Sequence, residues 1–132
     1  MSESQATHSV YGENKYIIHV TAPDLGVYQE ESDVEQILRD VYCNVFKSFL
    51  LSHQIILRCP PVSGGYFAGR FKSRIATLTF KCVKAAIQML DHDQQHKLSQ
   101  RFIDICVFSA AEVEEFTEAG FILYQVFFLK LF

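Results

Sequence analysis

Gln54-Ile55-Ile56-Leu57-Arg58 runs directly into Cys59-Pro60-Pro61-Val62-Ser63-Gly64-Gly65-Tyr66-Phe67-Ala68-Gly69, and the reading of this junction decides the fold. The first segment is short, apolar and rich in isoleucine, which predicts a strand. The second holds three of the six glycines within six residues, which predicts a loop. Strand, glycine loop and helix in succession are the local grammar of an anion site. Glycine lets the backbone come close to a ligand, and the amides of a loop or helix start carry positive partial charge.

Downstream, residues 73–90 predict a helix with Ile75, Leu78, Cys82, Ala86, Met89 and Leu90 on one face. Upstream, Val34, Ile37, Leu38, Val41, Tyr42, Val45, Phe46 and Phe49 alternate in steps of three and one, the apolar face of another helix. Ser32-Asp33-Val34-Glu35 reads as its capping box. Before it, Tyr16-Ile17-Ile18-His19-Val20 predicts a strand buried on both faces, with His19 in the core. Asp91-His92-Asp93-Gln94-Gln95-His96 reads as a polar break. Residues 102–108 predict a third strand, and Ser109-Ala110-Ala111-Glu112 caps a last helix that Gly120 can end. The order β-α-β-α-β-α predicts an α/β layer fold with a mainly parallel sheet and right-handed crossovers. Ligands bind such sheets beyond the carboxyl ends of their strands, where both the glycine loop and Phe108-Ser109 fall.

Residues 1–14 are polar and read as a flexible lead-in, residues 15–120 as the domain, and residues 121–132 as an apolar tail with one charge. The tail can pair as an added strand, pack as a helix, or remain exposed and drive self-association.

A chain of 132 residues with 49% hydrophobic and 20% charged residues can bury its own core, which excludes wholesale disorder. A net charge of −3 without any basic block argues against bulk nucleic-acid binding. The longest apolar run is shorter than the roughly 20 residues that span a bilayer, and the N-terminus has no signal-peptide pattern. Cys43, Cys59, Cys82 and Cys106 lie far apart in apolar runs. They read as free core residues in a reducing compartment, cytoplasmic or nuclear.

No metal site or cofactor is expected. His92 and His96 with Asp91 and Asp93 lack supporting cysteines and read as a solvated turn. Glu112, Glu114, Glu115 and Glu118 read as a solvated acidic face. No nucleophile–base pair is legible. The glycine loop lacks the Gly-Lys-Ser/Thr of a Walker A loop and is not G-x-G-x-x-G. It reads either as a phosphate cradle built from the amides of residues 63–68 and the Ser63 hydroxyl, or as an ordinary strand–helix connection. Phe108 reads either as a base-stacking aromatic or as core.

Three segments resemble macro domains. Lys15-Tyr16-Ile17-Ile18-His19-Val20-Thr21-Ala22-Pro23 resembles their Ile-Ile-His strand and proline turn. Pro60-Pro61-Val62-Ser63-Gly64-Gly65-Tyr66-Phe67-Ala68-Gly69 is similar to their second ligand loop, usually Pro-x-x-Ser-x-Gly-x-Phe/Tyr-Gly, with Ala68 where glycine is frequent. Ile105-Cys106-Val107-Phe108-Ser109 resembles their last strand. The match covers residues 15–119 and is closest in flavour to viral macro domains.

The resemblance implies a three-layer α/β fold and binding of ADP-ribose or of mono-ADP-ribosylated protein. It assigns the ligand site to Pro61, Val62, Ser63, Gly64, Gly65, Tyr66, Phe67, Ala68 and Phe108. The amides of residues 63–67 would hold the diphosphate, Phe67 would cover the distal ribose, Phe108 would border the adenine, and Pro61 would line the cleft. Family members begin with further strands carrying an adenine-reading Asp, an Asn-Ala-Ala-Asn-like motif and a first glycine-rich loop. None of these precedes Lys15, so the chain is expected to correspond to the latter part of a macro domain, its N-terminal strands missing. Binding is therefore the leading expectation. ADP-ribosyl hydrolase activity is one alternative, and a non-binding structural or interaction remnant that self-associates through its tail is the other.

Overall fold

Helix α1, Glu31–Leu51, is the element on which the rest is built, and its apolar stripe behaves as its spacing predicts. Val34, Leu38, Val41, Tyr42, Val45, Phe46 and Phe49 are all buried. The computed structural model describes residues 6–11, 15–125 and 128–131. The expected capping box is not used: the N-cap is Glu30, two residues before Ser32, and it makes no side-chain cap. Glu31 and Asp33 instead place negative charge in its first turn, where the helix dipole favours it. Glu35 is spent on Lys81 of the next helix, 2.8 Å away.

That next helix, α2 (Ile75–Met89), packs along α1 through Ile75, Leu78, Cys82, Val83 and Ala86. Met89, expected on the same face, is about half exposed because the helix ends there and the chain turns away. The polar stretch read as a break is a helix, α3 (His92–Ser99). The Asp91 carboxylate accepts from the Gln94 amide at 2.7 Å, and the Gln94 side chain accepts from the Asp91 amide at 3.0 Å. This D-x-x-Q box nucleates a helix with little apolar periodicity of its own.

The main sheet is mixed rather than mainly parallel. β3 (Ile56–Cys59) and β4 (Phe102–Cys106) run parallel. After α4 (Ala110–Ala119) the apolar tail forms β5 (Ile122–Gln125) and β6 (Phe128–Lys130), which pair antiparallel with each other, and β6 pairs antiparallel with β4. The strand order is β3-β4-β6-β5. A hairpin is antiparallel by construction, so the tail's own pairing sets the character of half the sheet. Of the outcomes left open for the tail, strand pairing is the one that occurs.

The strand Lys15–Val20 (β2) does not join this sheet. It pairs antiparallel with β1 (Ala6–Tyr11), inside the stretch read as a lead-in, to make a separate two-stranded sheet. β2 is therefore not buried on both faces: Tyr16, Ile17 and His19 are exposed, while Ile18 and Val20 pack on the core.

Register also separates the faces of the main sheet. Leu57, Ile105 and Leu129 belong to the core shared with the helices. Ile56, Arg58 and Phe102 lie on the other face and are exposed. Among the described residues that second face is covered only in part. Asp104, on the open face, is nevertheless buried: Arg58 Nε lies 3.3 Å from its carboxylate, and the Arg58 guanidinium lies over Phe128.

Candidate glycine-loop site

The loop after β3 divides at Gly64-Gly65. In the first half the Ser63 hydroxyl and the amides of Val62 and Gly64 are occupied. The Val62 amide donates to the Tyr42 hydroxyl of α1 at 2.9 Å, in a fully buried setting. Burial pushes the Tyr42 phenol above its ordinary range. Ser63 adopts the left-handed conformation, φ 58°, and its hydroxyl donates to the Pro23 carbonyl at 2.6 Å. The Gly64 amide closes the turn on the Pro61 carbonyl at 3.1 Å. A Cβ on Gly64 would sit 3.1 Å from that same oxygen, so this glycine serves the tight turn. Ser63, 6% exposed, thus does not supply the ligand-facing hydroxyl expected of it, and Val62 is equally interior.

In the second half Gly65, Tyr66 and Phe67 are exposed. A 3-10 segment, Tyr66–Arg74, begins after Gly65 and is broken into two short turns at the non-helical Gly69. The Ala68 amide returns to the Gly65 carbonyl at 3.1 Å, and Ala68 is fully buried. Ala68 therefore anchors the helix from beneath and is not part of a ligand surface. For the amides of Gly65, Tyr66 and Phe67 no acceptor occurs among the described residues, as is usual for the first turn of a helix. A Cβ built on Gly65 meets nothing within 4 Å. Tyr66 is 96% exposed, and Phe67, its ring 6.0 Å away, is less than half exposed.

The helix is braced from behind. Gly69 has φ 55°, and a Cβ there would fall 2.7 Å from Gly26 Cα, so two backbones cross in contact. Gly26 lies in the turn after β2, whose Asp24 carboxylate accepts from the Gly26 amide. Arg70 donates to Gln29 at 3.0 Å and Arg74 to Glu31 at 2.8 Å. The nearest arginines are thus bound to their own neighbours.

Phe108 reaches the same edge of the sheet by strand register. Cys59 is opposite Ile105 in a parallel pair, so the residues following each strand emerge together. Phe108 is 79% exposed, which rules out the core alternative. Its amide donates to Glu112, and Ser109 accepts from the Glu112 amide as the N-cap of α4. Pro60, Pro61, Val62 and Ser63 also close one end of a cavity of about 760 Å³ between β2 and β3, bounded beneath by Tyr42, Val45 and Phe49.

Of the nine residues assigned to the site, Gly65, Tyr66, Phe67 and Phe108 present exposed groups, and Pro61 and Gly64 are half-buried. Val62, Ser63 and Ala68 are structural. The loop's shape further depends on Tyr42, Pro23 and Gly26, to which the sequence reading gave no such role. The one available signal was a tyrosine inside an apolar stripe, since a buried hydroxyl seeks a partner.

No family model, no curated protein and no solved structure matches this chain. Among the described residues no three His, Cys, Asp or Glu side chains gather as metal ligands, and no helix is long and apolar enough to cross a membrane. The four cysteines are free thiols, and burial pushes Cys59 and Cys82 up to about 12. Such thiols stay protonated at neutral pH and are poor nucleophiles.

Proposed function

We propose that this chain binds ADP-ribose, free or carried on a modified protein, with the diphosphate on the amides of Gly65, Tyr66 and Phe67. The observation that carries the reading is the division of the loop. Its first half is tied to α1 and to the turn after β2, which leaves three consecutive outward amides in a fixed frame. Fixing donors in advance lowers the ordering cost of binding. Each charge-assisted bond to a phosphate contributes about 1.5–3 kcal/mol. Phe67 and Tyr66 offer apolar cover for a ribose, and Phe108 offers a face for a purine.

Calorimetric titration with ADP-ribose tests the reading. Heat saturating at one ligand per chain is expected. No heat at millimolar ligand, from a chain whose circular dichroism shows it folded, overturns it. Gly65→Val serves as the partner experiment: its side chain enters the space the diphosphate would take, so the heat should vanish while the fold remains.

A further inference from the structure

We propose that the outer edge of β3 accepts one extended strand of a second polypeptide, uncharged and apolar at alternate positions. β3 is the end of the main sheet, and no described strand pairs with its far side. The Phe102 amide donates to the Ile55 carbonyl at 2.8 Å, so Ile55 directs its main-chain groups toward β4. These directions alternate along a strand. Leu57 and Cys59 therefore also point toward β4, and Ile56 and Arg58 point their N–H and C=O groups away from it. Four main-chain groups are thus offered on a short edge that ends at Pro60 and shows no bulge in its pairing with β4. Ile55 and Ile56 are both exposed there.

The space beside that edge has the dimensions of a strand. The cavity of about 760 Å³ is bounded by Ile56–Cys59 on one side, by Tyr16–Val20 on the other, and by the buried face of α1 beneath. Within a packed sheet a residue fills about 4.8 Å between strands, 10 Å between layers and 3.3 Å along the strand, on the order of 160 Å³. The cavity therefore holds about five residues on that scale. A helix, about 10 Å across, would also leave the four main-chain groups unpaired. Among the described residues Arg58 is the one formally charged side chain in the lining, and its charge is met by Asp104. A charged occupant would be desolvated without a partner, so the slot selects a neutral strand. This inference does not depend on the glycine loop's ligand.

Hydrogen exchange resolved by residue, measured with and without the capped peptide acetyl-Thr-Val-Thr-Val-Thr-Val-amide, provides the test. The peptide should slow the Ile56 and Arg58 amides at least tenfold and leave Leu57 and Cys59 unchanged. A twin peptide N-methylated at every residue, which blocks both of its edges, should have no effect. Ile56→Pro removes an outward N–H without breaking a bond to β4, so it should fold and lose the response at Arg58; if it does not fold, the methylated twin still decides. The proposal is overturned if Ile56 and Arg58 exchange equally with and without millimolar peptide. It is also overturned if they are already as slow as Leu57 in the free chain, with a doubled mass in sedimentation showing that a second copy fills the slot.

Discussion

One loop contains two regions that behave oppositely. Pro61–Gly64 is turned toward the protein interior: the Val62 and Gly64 amides and the Ser63 hydroxyl are taken up by Tyr42, Pro61 and Pro23. Gly65–Phe67, immediately after it, keeps its backbone for the outside. The difference teaches that a run of glycines is not uniformly a binding surface. Gly64 is small because the turn is tight, whereas Gly65 is small where nothing of the chain itself crowds it. Rigidity in one half is what gives the other half a defined geometry.

Substitutions can break this contrast, and the largest effect belongs beneath the loop. Gly69→Val forces a side chain into the backbone of Gly26 at a left-handed φ. It should cost about 2–5 kcal/mol of unfolding free energy, read from urea denaturation. Tyr42→Phe leaves the buried Val62 amide without its acceptor and should cost about 1–3 kcal/mol. A faster exchange of that amide would assign the loss to the loop and not to packing. Ser63→Ala removes the bond to Pro23 and should cost about 1 kcal/mol, with weakened ADP-ribose binding, because the turn after β2 no longer fixes the loop.

A pH series sharpens the contrast from the strand that leads into the loop. Cys59 and Cys82 have folded values of about 12 against an ordinary 9.0. A raised pKa means that the unfolded chain loses protons first. Their contribution is therefore intact below pH 9 and falls as pH rises from 9 toward 12. Urea midpoints should be level from pH 7 to 9 and drop above that. The smallest stability effect belongs to Gly65→Val, smaller than that of Gly69→Val because a Cβ there meets nothing within 4 Å. Loss of ligand heat from a chain that still unfolds cooperatively in urea is the signature of the outward half.

The sequence made α1 and α2 legible because a 3.6-residue apolar period over many residues has one physical solution, a helix with a buried stripe. It also located β3 and β4, since each is an apolar run bounded by turn chemistry. Pairing was not legible. β2 is as apolar as a central strand, yet a neighbour in sequence reached it first and left it outside the main sheet. The tail's pairing depended on which edge stood open, a property of the assembled sheet. The same holds at the loop: glycine spacing points to residues 63–68 as a group, but the inward turn of Ser63 is dictated by Pro23, forty residues away.

The Tyr42–Val62 and Ser63–Pro23 bonds bridge 20 and 40 residues of chain, so the loop acquires its shape only after α1 and the turn after β2 have docked. Unfolded chain has no partial version of the site to offer. On the proposed reading, ligand and folding are thermodynamically linked: ligand at a hundredfold excess over its dissociation constant would add about 2.7 kcal/mol to the folded state. A rise in melting temperature with ADP-ribose concentration would report occupancy of a site that exists only in the finished molecule.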